Sequence, residues 1–156
     1  IVIADEPVSM LDASVRIEIL TLMMELQEKK DISFIYITHN LALTKYFSER
    51  LFIMYAGKVV EAGGIKEVIE KPLHPYTEAL MKAIPDPDPD NRKTIREIPK
   101  GEPPNLVSPP EGCRFHPRCA YYMPEVCKKD PPSHNRSEGG FALCWLYDQG
   151  KTLEIN

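Results

Sequence analysis

Residues Ile1-Val2-Ile3-Ala4 make an apolar run that ends in two adjacent carboxylates, Asp5 and Glu6; Pro7 and a short turn through Ser9 to Asp12 follow, and then an amphipathic segment begins. The pattern predicts a buried strand that hands its chain to a tight turn just where its acids reach solvent. In open α/β sheets ligands bind beyond the carboxyl ends of the strands, so acids there are placed for chemistry. Asp5 suits a Mg²⁺ ion, held through its waters, and Glu6, one residue further out, suits the orientation and deprotonation of a water. A plainer alternative fits the same residues: a core strand followed by a helix-capping Asp.

A second apolar run, Phe34-Ile35-Tyr36-Ile37-Thr38, ends in His39-Asn40. Between the two runs, Ala13 to Lys30 reads as a helix capped by Asp12, with Val15, Ile19, Leu22, Met23 and Leu26 on one face as its core stripe. A strand, a crossover helix and a second strand make a right-handed unit whose strand ends lie side by side. Asp5-Glu6 and His39 are therefore expected as neighbours, with His39 aimed at a phosphate; the competing reading is a hydrogen-bonded structural histidine.

Further along, Asn40 is expected to cap a short helix through Ser48. Leu51–Tyr55 and Val59–Glu61 flank Ala56-Gly57-Lys58 as a β-hairpin, with Gly57 supplying positive φ. Ile65–Glu70 reads as a helix stopped by Pro72, and the string from Leu73 opens another, with Pro75 in its first turn and an end near Ile84. His74 and Tyr76 are read as packing the start of that helix. Pro85-Asp86-Pro87-Asp88-Pro89-Asp90 is expected to be an extended linker, since proline removes donors and fixes φ. Beyond it, residues 108–156 have little periodicity and few large apolar side chains, and such a segment needs a staple, a metal or a partner surface.

All four cysteines, Cys113, Cys119, Cys127 and Cys144, fall in that segment. Their residues leave four readings open: a zinc site, although the usual close cysteine pairs are absent; two disulfides, disfavoured in a reducing compartment; an iron–sulfur cluster, although the ferredoxin spacings do not match; and free thiols. His116 and His134 are expected in exposed loops rather than as ligands.

Composition narrows the class. Of 156 residues 43% are apolar and 27% charged, the balance of an ordinary globular chain, and the net charge of −4 gives no general attraction to nucleic acid. There is no run of eighteen apolar residues that would cross a membrane.

The string ADEPVSMLD followed by ITHN resembles the Walker B strand, D-loop and switch histidine of ABC-type ATPases. That resemblance covers about residues 1–84. It implies Mg²⁺ at Asp5, a catalytic base at Glu6, a γ-phosphate sensor at His39, and a D-loop of Ser9, Leu11 and Asp12 that meets a partner subunit. Met10 departs from the small residue usual in that loop. The strings LHPYTEAL and PPEGCRFHPRC resemble the C-terminal region of oligopeptide/dipeptide-type importer ATPases. Some members carry a 4Fe–4S cluster there, which implies Cys113, Cys119, Cys127 and Cys144 as ligands, with Zn²⁺ or no metal as the alternatives.

The resemblance implies an α/β fold: the C-terminal part of a P-loop ABC ATPase domain over residues 1–84, followed by a loop-rich, cysteine-containing extension over residues 85–156. It implies ATP and Mg²⁺ as cofactors, and a second ATPase subunit, transmembrane permease subunits and, indirectly, an extracytoplasmic solute-binding protein as partners. The place implied is the cytoplasmic face of the cell membrane. The phosphate-cradling pattern G-x-x-x-x-G-K-S/T is missing: five residues before the glycines of Gly57-Lys58 and Gly150-Lys151 stand Phe52 and Trp145. The LSGGQ-type signature is missing too. With no starting Met, the chain is expected to be the C-terminal piece of a longer polypeptide and inactive by itself. Two other functions remain open, a non-transport ABC-type ATPase and a non-enzymatic metal-binding interaction module.

Overall fold

The computed structural model describes residues 1–84, 99, 101–148, 150 and 153. The proline–aspartate stretch at 85–90 lies outside the described residues. The chain forms two compact units, Ile1–Ser48 and Glu49–Asn156.

In the first unit, β1 (Val2–Asp5) pairs in parallel with β2 (Phe34–Ile37), in the register Val2–Phe34, Ile3–Ile35, Ala4–Tyr36 and Asp5–Ile37. The crossover is α1 (Ala13–Lys30), and α2 (Leu41–Phe47) follows β2. Asp12 fixes the start of α1: its carboxylate accepts from the amides of Ser14 and Val15, both at 3.1 Å, and from the Ser14 hydroxyl at 2.7 Å. Asn40 stands at the cap position of α2, but its side chain makes no capping bond.

Two expectations are corrected here. The strands were read as buried, yet one sheet face is open: Ile3 is 68% exposed, and Ile35 and Ile37, which share its face, are also exposed. The opposite face is partly covered: Ala4, Phe34 and Tyr36 are half-buried and Val2 is exposed, with Tyr36 packed edge-on against Phe47 of α2, ring centroids 4.8 Å apart. The second correction is the inward face of α1. Leu20 is its buried residue, and Arg16, Ile19, Met23, Met24 and Gln27 are half-buried, whereas Leu22 is 52% exposed and Val15 and Leu26 are also exposed. Apolar residues stand around most of the circumference of α1, so spacing alone does not single out a face.

The second unit is built on an antiparallel sheet in the order β3 (Arg50–Tyr55), β4 (Lys58–Gly64), β6 (Phe141–Leu143), β5 (Ser133–Asn135). β3 alternates cleanly, with Leu51, Ile53 and Tyr55 buried and Phe52 and Met54 exposed. The β3–β4 turn carries two positive φ values, 48° at Ala56 and 80° at Gly57, the geometry that matches strand twist in two-residue hairpins. β4 is interior, paired with β3 on one side and β6 on the other, and Val60, Glu61 and Ala62 are buried. α3 (Ile65–Glu70) and α4 (Pro75–Ala83) follow.

Residues 108–148 obtain their core from this hairpin. Phe115, 2% exposed, meets Tyr55 at 5.2 Å, Tyr76 at 5.4 Å and His74 at 5.9 Å between ring centroids. The short strands β5 and β6 extend the sheet, and Tyr147 donates its hydroxyl to the Leu73 carbonyl at 2.7 Å. A polar hub ties the layers together. The fully buried carboxylate of Glu61 accepts from the amides of Leu73 and His74, each at 2.8 Å, and from the Arg136 guanidinium at 2.6 Å. Arg136 also donates to the Lys71 carbonyl and lies 3.9 Å from Glu67.

Candidate functional site

The parallel pairing of β1 and β2 sets Glu6 and His39 side by side, one residue past Asp5 and two past Ile37. The backbone turns sharply at Glu6, φ 46°, a conformation rare for a residue with a side chain, while its amide still donates to the Ile37 carbonyl at 2.9 Å. One carboxylate oxygen of Glu6 accepts from the His39 amide at 3.0 Å and lies 2.6 Å from His39 Nδ1; Thr38 Oγ1 lies 3.5 Å from the other. These hydrogen bonds, the His39 imidazole first, hold the Glu6 carboxyl below its ordinary pKa. Glu6 is therefore ionised at neutral pH and competent to accept a proton. A carboxylate can only accept, so His39 donates from Nδ1 and leaves Nε2 facing solvent, where the ring is 82% exposed.

Asp5 ends β1 with its side chain exposed and its neighbour on β2 is Ile37. Ser9 donates its hydroxyl to the Glu6 carbonyl at 3.1 Å. Asp12 is committed to capping α1, and these bonds, the Ser14 hydroxyl foremost, lower its pKa. The sequence reading missed Arg16. Its Nε reaches the Val8 carbonyl at 3.2 Å and its terminal nitrogen the Leu11 carbonyl at 2.8 Å, so it holds the turn that carries Ser9 and Met10. The available signal was a lone guanidinium in the first helical turn after a segment full of unpaired carbonyls.

In the second unit Cys113, Cys119, Cys127 and Cys144 line one cavity of about 20 Å³, together with His74 and Phe115. All four are free thiols. Among the described residues no group of three His, Cys, Asp or Glu side chains stands at metal-binding geometry. The thiols are nonetheless close enough to oppose one another's ionisation: burial first, and then the neighbouring sulfurs, push Cys119 up to about 12 and Cys144 up to about 11, and burial likewise raises Cys113. Backbone amides two residues downstream serve three of the sulfurs, Phe115 for Cys113, Tyr121 for Cys119 and Leu146 for Cys144. Gly112 makes the approach possible. At φ 68°, a β-carbon there would stand 2.5 Å from the Lys128 carbonyl carbon, and Cys113 could not donate its amide to the Cys127 carbonyl at 3.1 Å. His116 stacks on Tyr122 and bonds the Cys113 carbonyl through Nδ1 at 2.9 Å; His134 stacks on Tyr147.

Residues 60–127 match the model of the oligopeptide/dipeptide transporter C-terminal region. Over 154 residues the chain is 40% identical to a putative oligopeptide transport ATP-binding protein, YkfD, of Bacillus subtilis, covering 98% of the chain and 47% of that relative. It is 46% identical over 133 residues to the oligopeptide transport ATP-binding protein OppF of Escherichia coli, 84% of the chain and 40% of the relative. With the dipeptide transport ATP-binding protein DppD of Caldanaerobacter subterraneus it shares 39% over 155 residues, 99% of the chain and 47% of the relative. Over the part it spans, this chain is similar to oligopeptide and dipeptide transport ATP-binding proteins. It spans about half the length of these relatives or less. The stretch matched by the transporter model takes in His74, Phe115 and three of the cysteines; Cys144 lies beyond it, and Glu6 and His39 precede it.

His74 is the most buried imidazole of the stretch that matches the transporter model, 1% exposed. Burial pushes its pKa down to about 4. Its surroundings are the Tyr76 amide, the Cys113 sulfur, the Phe115 ring and, through its own amide, the Glu61 carboxylate. As pH falls the unfolded chain, with an ordinary histidine near 6.5, takes the proton first, so stability is retained above about pH 7 and lost between about pH 6.5 and 4. The metal-free protein should lose roughly 2 kcal/mol between pH 7.5 and pH 5 from this group. Denaturant unfolding at the two pH values reads the loss, and His74→Asn should remove it; an unchanged pH dependence in that variant would assign the loss elsewhere.

Proposed function

We propose that this chain is part of an ATP-hydrolysing subunit that powers ABC-type import of oligopeptides or dipeptides across the cytoplasmic membrane. The carrying observation is the contact between Glu6 and His39 at the ends of neighbouring parallel strands, within a chain related to transport ATP-binding proteins. Asp5 is assigned to Mg²⁺ through its waters, Glu6 to the attacking water as general base, and His39 to the γ-phosphate through its outward Nε2. Ser9, Leu11 and Asp12 are assigned to the face met by a second ATPase subunit, with Arg16 fixing their turn. The open face of Ile3, Ile35 and Ile37 supports the reading, because parallel sheets are normally covered on both sides. Residues 1–84 are the ATPase part and residues 85–156 the extension. Transmembrane permeases and an extracytoplasmic solute-binding protein complete the proposed assembly. No helix among the described residues is long and apolar enough to cross a membrane, which fits a subunit docked on the inner face.

Phosphoryl transfer depends on positioning and charge stabilisation, and the phosphate cradle is not in these 156 residues. Hydrolysis is therefore a property of the full-length protein. There, His39→Ala should lower turnover by about 10²–10³-fold, the usual cost of one donor to developing charge. Steady-state hydrolysis of MgATP checks this, and unchanged turnover would return His39 to a structural role.

The extension is proposed to hold a metal on Cys113, Cys119, Cys127 and Cys144. Four thiols around one cavity, three with amide donors to sulfur, suit a thiolate-held centre, and the resemblance favours a 4Fe–4S cluster. A cluster there would act as a structural staple. The volume of about 20 Å³ favours a second reading, a single Zn²⁺, because it has room for one water-sized body unless the loops part. Anaerobically purified protein should be brown, with broad absorbance near about 400 nm, for iron–sulfur. It should be colourless with about one zinc per chain for the second reading. Protein free of both metals, with wild-type stability in a Cys119→Ser variant, would dismiss the metal.

A further inference from the structure

We infer that His74 is a positioning residue for the cysteine site, its Nε2–H hydrogen bond to Cys113 joining the metal-binding sulfurs to the start of α4. This role rests on the metal reading proposed above. The His74 ring uses both nitrogens. Nδ1 accepts the Tyr76 amide at 3.0 Å, the bond that caps α4, so the ring proton sits on Nε2. Nε2 faces Cys113 Sγ at 3.9 Å, the distance of a long N–H···S contact. The backbone bond to Tyr76 thus fixes the tautomer, and the tautomer supplies the sulfur with a donor that cannot be reversed. The His74 amide is itself anchored on Glu61 at 2.8 Å, and the Glu61 carboxylate holds Arg136. The imidazole is buried against Phe115, so its orientation is set from three sides.

A thiol gains little from this donor, but a metal-bound thiolate gains much, because a charged acceptor strengthens the bond. Hydrogen bonds to ligand sulfur raise the potential of a cluster, and outer partners of this kind orient ligands and slow metal loss.

Two substitutions separate the functions of the ring. The side-chain oxygen of an asparagine stands where Nδ1 is, and the amide nitrogen of a glutamine where Nε2 is. His74→Asn keeps the helix cap and removes the donor; His74→Gln keeps the donor and removes the cap. The full-length protein and both variants are reconstituted anaerobically with iron and sulfide, and separately with Zn²⁺, and challenged with a chelator. His74→Asn should lose bound metal about 10–100-fold faster at an unchanged unfolding midpoint of the metal-free protein. If an iron–sulfur cluster forms, its midpoint potential should also move negative in this variant. His74→Gln should retain metal close to wild type while unfolding more easily. Metal loss that simply follows unfolding in both variants, or a His74→Asn protein that keeps metal and potential unchanged, would overturn the inference and leave the metal reading standing. Wild-type protein that takes up neither iron with sulfide nor Zn²⁺ would overturn the metal reading, and this role with it.

Discussion

Glu6→Gln in the full-length protein should retain ATP binding while hydrolysis slows by roughly 10²–10⁴-fold, the usual worth of a positioned general base. Glutamine can still accept the His39 amide, so the local backbone is kept, but it cannot take a proton from water. Glu6 also supports the left-handed turn at the end of β1, and nucleotide affinity is therefore measured beside turnover. Lost binding together with lost turnover would mark Glu6 as structural. Retained binding with unchanged turnover would place the base elsewhere.

Glu61→Ala should destabilise the second unit by about 3–5 kcal/mol, the cost of breaking a buried ion pair from one side. The Arg136 side chain is 3% exposed, and without Glu61 it remains buried without its carboxylate, while the amides of Leu73 and His74 lose their acceptor. Two consequences separate this account from simple loss of volume. Glu61→Gln should cost clearly less, since its oxygen still accepts an amide. Glu61→Ala combined with Arg136→Ala should cost less than the sum of the two single changes, because the second removal relieves a buried charge left with only the more distant Glu67 carboxylate at 3.9 Å. Additive losses in denaturant unfolding would mean that the pair is not coupled.

What the sequence made legible follows from how local each signal is. The start of α1 was readable because Asp12 caps it from three residues away. α3 and α4 were readable because Pro72 stops one and Pro75 opens the other. The hairpin was readable from Gly57 and from the alternation along β3, although the structure places Ala56 as well as Gly57 at positive φ. The inward face of α1 was not, because Val15, Ile17, Leu20, Leu22 and Met24 point in too many directions for one stripe to stand out. β5 and β6 were missed because strands of three residues have no period to detect. At the candidate sites, Glu6 and His39 are linked by a single crossover whose handedness brings strand ends together, so their contact could be expected from topology. Glu61 and Arg136 are 75 residues apart, and nothing in either neighbourhood announces the other. His74 was readable as a residue packing the start of a helix; that its other nitrogen faces Cys113 depends on a fold that brings residues 39 positions apart together.

The central claim is that this chain serves an ATP-driven peptide importer, and uptake tests it most directly. Full-length protein assembled with its permease subunits in lipid vesicles, with MgATP on the side of the ATPase and the solute-binding protein on the other, should accumulate labelled oligopeptide or dipeptide. Glu6→Gln should abolish that accumulation. Vesicles that hydrolyse ATP at the wild-type rate yet move no peptide, or that move peptide equally well with Glu6→Gln, would contradict the account.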